Sequence, residues 1–239
     1  TGPGGAQASL HLIPAILRLL EEADLATSDL DVIAFGRGPG SFTGLRTACS
    51  VAQGLAFGAR GGVGVPVLPV DTLLAVAEEA RWQRAQADPA APPAVQVVAM
   101  LDARMGEIYA SRYQYDCSEN GSCLWTFHEG CGLFLPNKAS LGQLLGTVDG
   151  GDAGAASPVL ILAGNVFGVH GPALDDALAG AAALPRIAAL PTATAMLRLA
   201  PQLLQAGQAV AAADALPLYI RDKVAQTTEE RRLATEMQK

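Results

Sequence analysis

The sequence is short of several things. Aromatic residues occupy 5% of its 239 positions and charged residues 16%, and no lysine occurs before Lys138. No apolar run reaches the ~18 residues that a membrane helix requires, because Gly, Pro, Arg or Asp interrupts every candidate. Positive charge is in deficit: 16 basic against 23 acidic side chains leave a net charge of −7. That balance argues against wrapping nucleic acid by bulk charge and leaves room only for a local basic patch. The four cysteines (Cys49, Cys117, Cys123, Cys131) contain no C-x2-C pair, so a structural zinc site is not expected. An opening Met and a signal-peptide hydrophobic region are also missing. Thr1-Gly2-Pro3-Gly4-Gly5 leads straight into a helical pattern, which reads as a flexible tail or as a chain whose earlier part lies elsewhere.

What is present is material for a core. Half of the residues are hydrophobic, which excludes intrinsic disorder, and the length suits one large domain or two lobes of ~100–130 residues. Leu10 to Leu20 carries Leu12, Ile13, Ile16, Leu17, Leu19 and Leu20. It predicts a helix whose apolar stripe is wider than one sheet contact needs. Residues 31–36 read as a buried strand, 37–40 as a loop, and Ser41 as the N-cap of a helix to about Phe57. Residues 63–70, with two prolines, read as an edge or crossover strand, and Asp71-Thr72 opens a helix to about Gln86.

After an Ala/Pro-rich linker at 87–93 the pattern changes. Strands are predicted at 95–101, 107–115 and 123–127, then a mobile Gly/Ala/Asp loop at 146–157 and a strand at 159–163. Ala/Leu-rich helices follow near 172–183 and 192–206. The division is therefore a partial first lobe at 1–86, a second lobe at 94–220 and a tail at 221–239. If the lobes are copies, the first lacks the three strands that open the second. Cys117 and Cys123 flank a turn at 118–122 and so could face each other across two strands. Two reduced thiols is the reading that a cytosolic chain favours.

The most unusual stretch is Gly36-Arg37-Gly38-Pro39-Gly40-Ser41-Phe42-Thr43-Gly44-Leu45-Arg46. A Gly-rich turn between a strand and a helix N-terminus makes a ready anion site, because free N–H groups and the helix dipole point outward. It is not a Walker A loop, which demands G-x4-G-K-[ST], nor G-x-G-x-x-G, nor the nucleophile elbow G-x-S-x-G. The simpler reading is a tight turn with glycines at positive φ and Ser41 capping the helix. Arg37 and Arg46 flank it and could hold phosphate or an acidic partner surface. In the helix that follows, Ala48, Ala52 and Ala56 recur at i, i+4 and i+8, a ridge of small residues that permits close helix packing. Together with the wide stripe of the first helix, it suggests surplus apolar surface of the kind that marks an interface. The alternative is that another part of the chain covers it.

This glycine-rich segment, continued by Gln53-Gly54-Leu55-Ala56, resembles the signature of the bacterial TsaB (YeaZ) family. Asp102-Ala103-Arg104-Met105-Gly106-Glu107-Ile108-Tyr109 resembles the family's second-lobe opening, Pro217-Leu218-Tyr219-Ile220-Arg221 its C-terminal motif, and Leu12-Ile13-Pro14 its first helix. Four matches in family order span essentially the whole chain. The resemblance implies an α/β, actin-like ATPase (ASKHA) fold of two ribonuclease-H-like lobes. It implies a cytoplasmic role in making threonylcarbamoyladenosine, beside the anticodon of tRNAs reading codons that start with A. In that role the chain would be a non-catalytic scaffold or activating subunit of the paralogue TsaD, joined by TsaE, touching tRNA only through the complex. ATP and metal would belong to those partners, and no cofactor to this chain alone.

Family members homodimerise through their first two helices, and TsaD can take one subunit's place. Carried over, the interface comprises Leu12, Ile13, Ile16, Leu20, Arg46, Ala48, Ala52 and Ala56. Two departures stand out. No strand with the family's opening Asp-Thr-Ser/Ala motif precedes Thr1, and Ala8 stands where a His is usual.

Catalytic readings find little support. The paralogue's metal is held by two histidines four apart on one helix face, whereas His11 stands alone between Gln7 and Ala15. His128 and His170 lie far off without ligand-like neighbours. Asp102, Arg104 and Glu107 form either an acid/base cluster or, more plainly, a paired network at the interlobe cleft. The tail from Arg221 has five basic and four acidic residues, which suits partner docking or fraying better than a tRNA clamp. The remaining alternatives are an ATP-binding or glycopeptidase-like (M22-type) enzyme of the same fold, and a direct tRNA binder.

Overall fold

In the computed structural model the described residues are 8–118, 123–145, 158–178 and 184–221. Residues 1–7, 119–122, 146–157, 179–183 and 222–239 lie outside them, and with them the expected loop at 146–157, the end of the helix expected near 172–183 and the C-terminal tail.

The first lobe runs α1 (Ala8–Glu22), β1 (Ile33–Gly38), α2 (Phe42–Gly58), β2 (Val67–Asp71) and α3 (Thr72–Ala87). Its described residues form one parallel pair, in which Ile33 opposes Val67 and the register slips at Arg37 so that Gly38 opposes Asp71. The second lobe runs β3 (Val95–Arg104), β4 (Glu107–Cys117), β5 (Cys123–Phe134), α4 (Lys138–Leu145), β6 (Val159–Gly164), α5 (Val166–Ala177), β7 (Arg186–Ala188) and α6 (Ala193–Gln205). Its five strands lie in the order β5-β4-β3-β6-β7, an antiparallel meander continued by parallel crossovers.

Local chemistry explains much of this. Asp71 ends β2 and caps α3, its Oδ1 accepting from the N–H groups of Leu73 (2.9 Å) and Leu74 (3.2 Å). Ser41 does occupy the N-cap of α2, but its hydroxyl makes no capping bond. Gly164 ends β6 at φ 143°, against Met100 of the parallel neighbour β3, where any Cβ would lie 1.7 Å from the carbonyl oxygen. The helix predicted near 172–183 instead begins at Val166 and is kinked at His170, because Gly168, Gly171 and Pro172 interrupt its periodicity. The third strand runs seven residues beyond the predicted Phe127, and the three-residue β7 carries too little pattern to read.

The domain division by sequence follows connectivity better than packing. Helix α3 shares one core with β3, β6 and α6, with Leu73, Val76, Val97, Ile161 and Leu199 all fully or nearly fully buried. From Val210 to Leu218 the chain runs over the first lobe. Val210 bridges Val67, the carbonyl of Ala215 accepts from Cys49 Sγ and Gln53 Nε2, and Leu218 N–H donates to Arg37 O at 2.7 Å.

Two further expectations change. Ala52 and Ala56, assigned to a partner interface, are 3% and 0% exposed and pack with Phe35, Val67 and Ala215. The ridge lets α2 approach the chain's own β1–β2 pair and the returning strap, which leaves these two alanines almost no solvent-facing surface. Cys117 and Cys123, favoured as free thiols, oppose each other across β4 and β5 and are joined in a disulfide. The hairpin register brings their Cα atoms to 4.0 Å, so the facing arrangement that the spacing allowed is realised and the redox argument against pairing is overturned.

Candidate functional site

A cleft of about 330 Å³ opens where the glycine-rich loop faces the first hairpin of the second lobe. Gly40, Ser41 and Phe42 form one wall, Ala103, Arg104 and Met105 the other, and Leu218–Arg221 the floor. The loop takes its shape from one glycine above all. Gly38 sits at φ 126°, and a Cβ there would lie 2.5 Å from the carbonyl oxygen of Leu218. Gly36, Gly40 and Gly44 have no positive φ, so the expected run of left-handed glycines reduces to this position. A cis peptide joins Gly38 to the buried Pro39. Ser41, Thr43 and Gly44 are exposed at the start of α2.

The two arginines flanking the loop part company. Arg46 stacks over the Phe42 ring at 4.1 Å and donates from Nε to Tyr219 Oη at 3.2 Å, while Phe42 and Tyr219 contact each other at 5.1 Å. That guanidinium clamps the C-terminal motif onto α2. Arg37 lines a second cavity instead.

At the opposite wall the three candidate polar residues are divided among partners. Asp102 Oδ1 lies 3.0 Å from His170 Nε2 and accepts from the N–H of Arg104, and Asp102 N–H donates to Asn165 Oδ1. Glu107 pairs with Arg221 at 2.6 Å, and Arg221 also donates to Ala103 O. The Arg104 side chain is 90% exposed. His170, expected to lack a ligand-like neighbour, sits at the kink in α5 and meets Asp102, 68 residues away in sequence. His11 is exposed on α1, and the His128 side chain lies outside the described residues. No group of three or more His, Cys, Asp or Glu among the described residues is placed to hold a metal.

The actin-like fold raises the question of a magnesium nucleotide in this cleft, and the donor set does not suit one. The loop offers no lysine, Arg46 is stacked, and the carboxylates of Asp102 and Glu107 face His170 and Arg221 instead of the loop.

Among the exposed surfaces, α1 is distinctive. Leu10, Ile13, Leu17 and Leu19 are 43–71% exposed, while Leu12, Ile16 and Leu20 are half-buried. No described helix is long and apolar enough to cross a membrane.

A charged network missed by sequence lies between α3, α6 and β5. Glu78, 3% exposed, takes Arg81 through two bonds (2.7 and 2.8 Å) and Arg198 at 2.8 Å, while Glu79 takes Arg198 and Thr192, each at 2.8 Å. The available signal was a Glu-Glu pair and an Arg set within the buried stripe of α3.

Two lobes clasping α3 and α6, with a glycine loop facing a β-hairpin across a cleft, define an α/β protein of the actin-like, ribonuclease-H-like class. A family model described as TsaD, tRNA N6-adenosine threonylcarbamoyltransferase, matches residues 6–229. The tRNA threonylcarbamoyladenosine biosynthesis protein TsaB of Escherichia coli is 33% identical over 225 residues, covering 90% of this chain and 81% of that protein. TsaB of Haemophilus influenzae is 43% identical over 102 residues, 43% of this chain and 38% of that one. The solved structure of YeaZ from Pseudomonas aeruginosa superimposes with a TM-score of 0.62 at 30% identity, covering 90% of this chain and 84% of its own. The transferase of Pyrobaculum islandicum matches only 77 residues, 32% of this chain. The chain belongs to the TsaB (YeaZ) family.

Proposed function

We propose that this chain serves tRNA threonylcarbamoyladenosine biosynthesis in the cytoplasm as a non-catalytic scaffold that activates the paralogue TsaD. The observation that carries this is the exposed apolar face of α1, where Leu10, Ile13, Leu17 and Leu19 lie open to solvent. Burying such a face releases about 25 cal/mol per Å² of apolar area, enough to drive a helix–helix contact. The same face serves a homodimer when TsaD is absent. TsaE joins the complex, tRNA is met only there, and ATP and metal are held by the partner proteins.

The test uses Ile13→Asp with Leu17→Asp, both at exposed positions. Affinity for TsaD, measured by calorimetry, should fall at least 100-fold while the circular dichroism and melting of the isolated variant stay unchanged. A complex that survives this pair refutes the interface. The enzyme reading has one observation in its favour: a second Pseudomonas aeruginosa structure, 33% identical, is described as similar to the peptidase YeaZ. Turnover by the purified chain without TsaD would establish it over the scaffold.

A further inference from the structure

The second cavity, about 320 Å³, lies between the carboxyl ends of β1 and β2 and the β4–β5 hairpin. Strand ends of this kind are where open α/β sheets present ligand-binding groups. Arg37 sits at the register slip between the two strands, and it lines the cavity together with Asp71, the last residue of the neighbouring strand. The other walls include Tyr113, Trp125, Thr126 and Gln202.

Arg37 and Asp71 are opposite charges lining one cavity, yet they do not form an ion pair. Nε of Arg37 is buried with no partner, and no hydrogen bond or ion pair from its guanidinium occurs among the described residues. Asp71 is half satisfied. Its Oδ1 accepts from Leu73, Leu74 and the Tyr113 hydroxyl (3.0 Å), whereas nothing among the described residues donates to Oδ2. A buried guanidinium N–H without an acceptor is costly to maintain in a folded protein, so the orphaned Nε calls for a partner. A phosphate would satisfy Arg37 but face the Asp71 carboxylate. A lone cation would do the reverse. Only a molecule carrying both signs completes both groups.

We infer that this cavity binds a small zwitterion of free amino-acid type, its carboxylate on the Arg37 guanidinium and its ammonium on Asp71 Oδ2. The two protein charges cancel, so such a ligand leaves the site neutral, and the faces of Tyr113 and Trp125 receive its side chain. The volume lies at the small end of ligand pockets, which suits a molecule of about ten heavy atoms. This site is separate from the α1 face and stands whether or not the scaffold reading does.

The experiment titrates the full wild-type chain with each of the twenty L-amino acids and with inorganic phosphate. Readouts are melting temperature and the indole N–H signal of Trp125, separated from that of Trp82 by Trp82→Phe. At least one amino acid should bind saturably below 1 mM and shift the Trp125 signal, and its decarboxylated amine should bind at least tenfold more weakly. Arg37→Gln and Asp71→Asn should each weaken binding at least tenfold, the second while keeping the cap of α3. Silence from all twenty, binding by phosphate alone, or full retention of the decarboxylated amine overturns the inference. The analogue comparison decides the matter even where Arg37→Gln fails to fold.

Discussion

The indole Nε1–H of Trp125 donates to Oε2 of Glu78 at 3.0 Å, tying β5 of the second lobe to α3. Glu78 thereby accepts from three side chains at once, since Arg81 and Arg198 hold the same carboxylate. Burial pushes its pKa upward, but the Arg81 bond and charge, then the bonds from Trp125 and Arg198, outweigh this and leave it below the usual carboxylate range.

Removing that carboxylate leaves Arg81 and Arg198 partly buried and short of their principal acceptor. Glu78→Ala should therefore destabilise the chain by about 3–5 kcal/mol in urea unfolding, with Glu78→Gln less harmful. Because the folded pKa is lowered, the stability that Glu78 contributes is present above its unfolded value and is lost as pH falls through the folded one. The difference between wild type and Glu78→Gln should accordingly shrink on acidification.

Asp71 behaves in the opposite sense. Burial raises its pKa despite the bonds from Leu74, Tyr113 and Leu73 and the charge of Arg37. A raised acid contributes stability that is full below its unfolded pKa and lost as pH rises through the folded value. Asp71→Asn, which keeps an acceptor for the cap, should match or exceed wild-type stability at pH 7, with the gap closing toward pH 4. A marked loss of melting temperature at pH 7 would contradict this account.

Gly164→Ala should destabilise by more than about 4 kcal/mol and yield little soluble protein, because its Cβ would overlap the Met100 carbonyl. Gly142→Ala in α4, with nothing within 4 Å of the added carbon, should be neutral or gain up to ~1 kcal/mol. Expression yield and thermal melts of the two variants separate them.

Ala52→Arg should unfold the chain, since Ala52 is 3% exposed on the face of α2 that packs with Phe35, Val67 and Ala215. The Ile13→Asp, Leu17→Asp pair should leave melting within ~1 °C of wild type, as surface substitutions generally do. Equal behaviour of the two would mean that α2 lies differently.

Much of the first lobe was legible because its signals are local. The alternation of glycine and proline around Gly38 marks the loop, and Asp71-Thr72 marks a helix start that the capping bonds of Asp71 realise. What escaped were properties of pairs distant in sequence: His170 on Asp102, Trp125 on Glu78, Arg221 on Glu107. The ridge Ala48, Ala52, Ala56 shows the boundary between the two. Its spacing announces close packing, but spacing along one helix carries no information about whether the neighbour is a partner or the chain's own β1–β2 pair.

By itself, then, the amino-acid order determined most elements of the first lobe, the α/β class and the family motifs, because hydrophobic period, turn residues and capping act within a few positions. Only the tertiary structure decided which face of α2 is buried, that Cys117 meets Cys123, and that Arg37 and Asp71 line one cavity without pairing. Those outcomes depend on strand register and on the returning strap at 210–221, and both are set by side-chain packing across long stretches of chain.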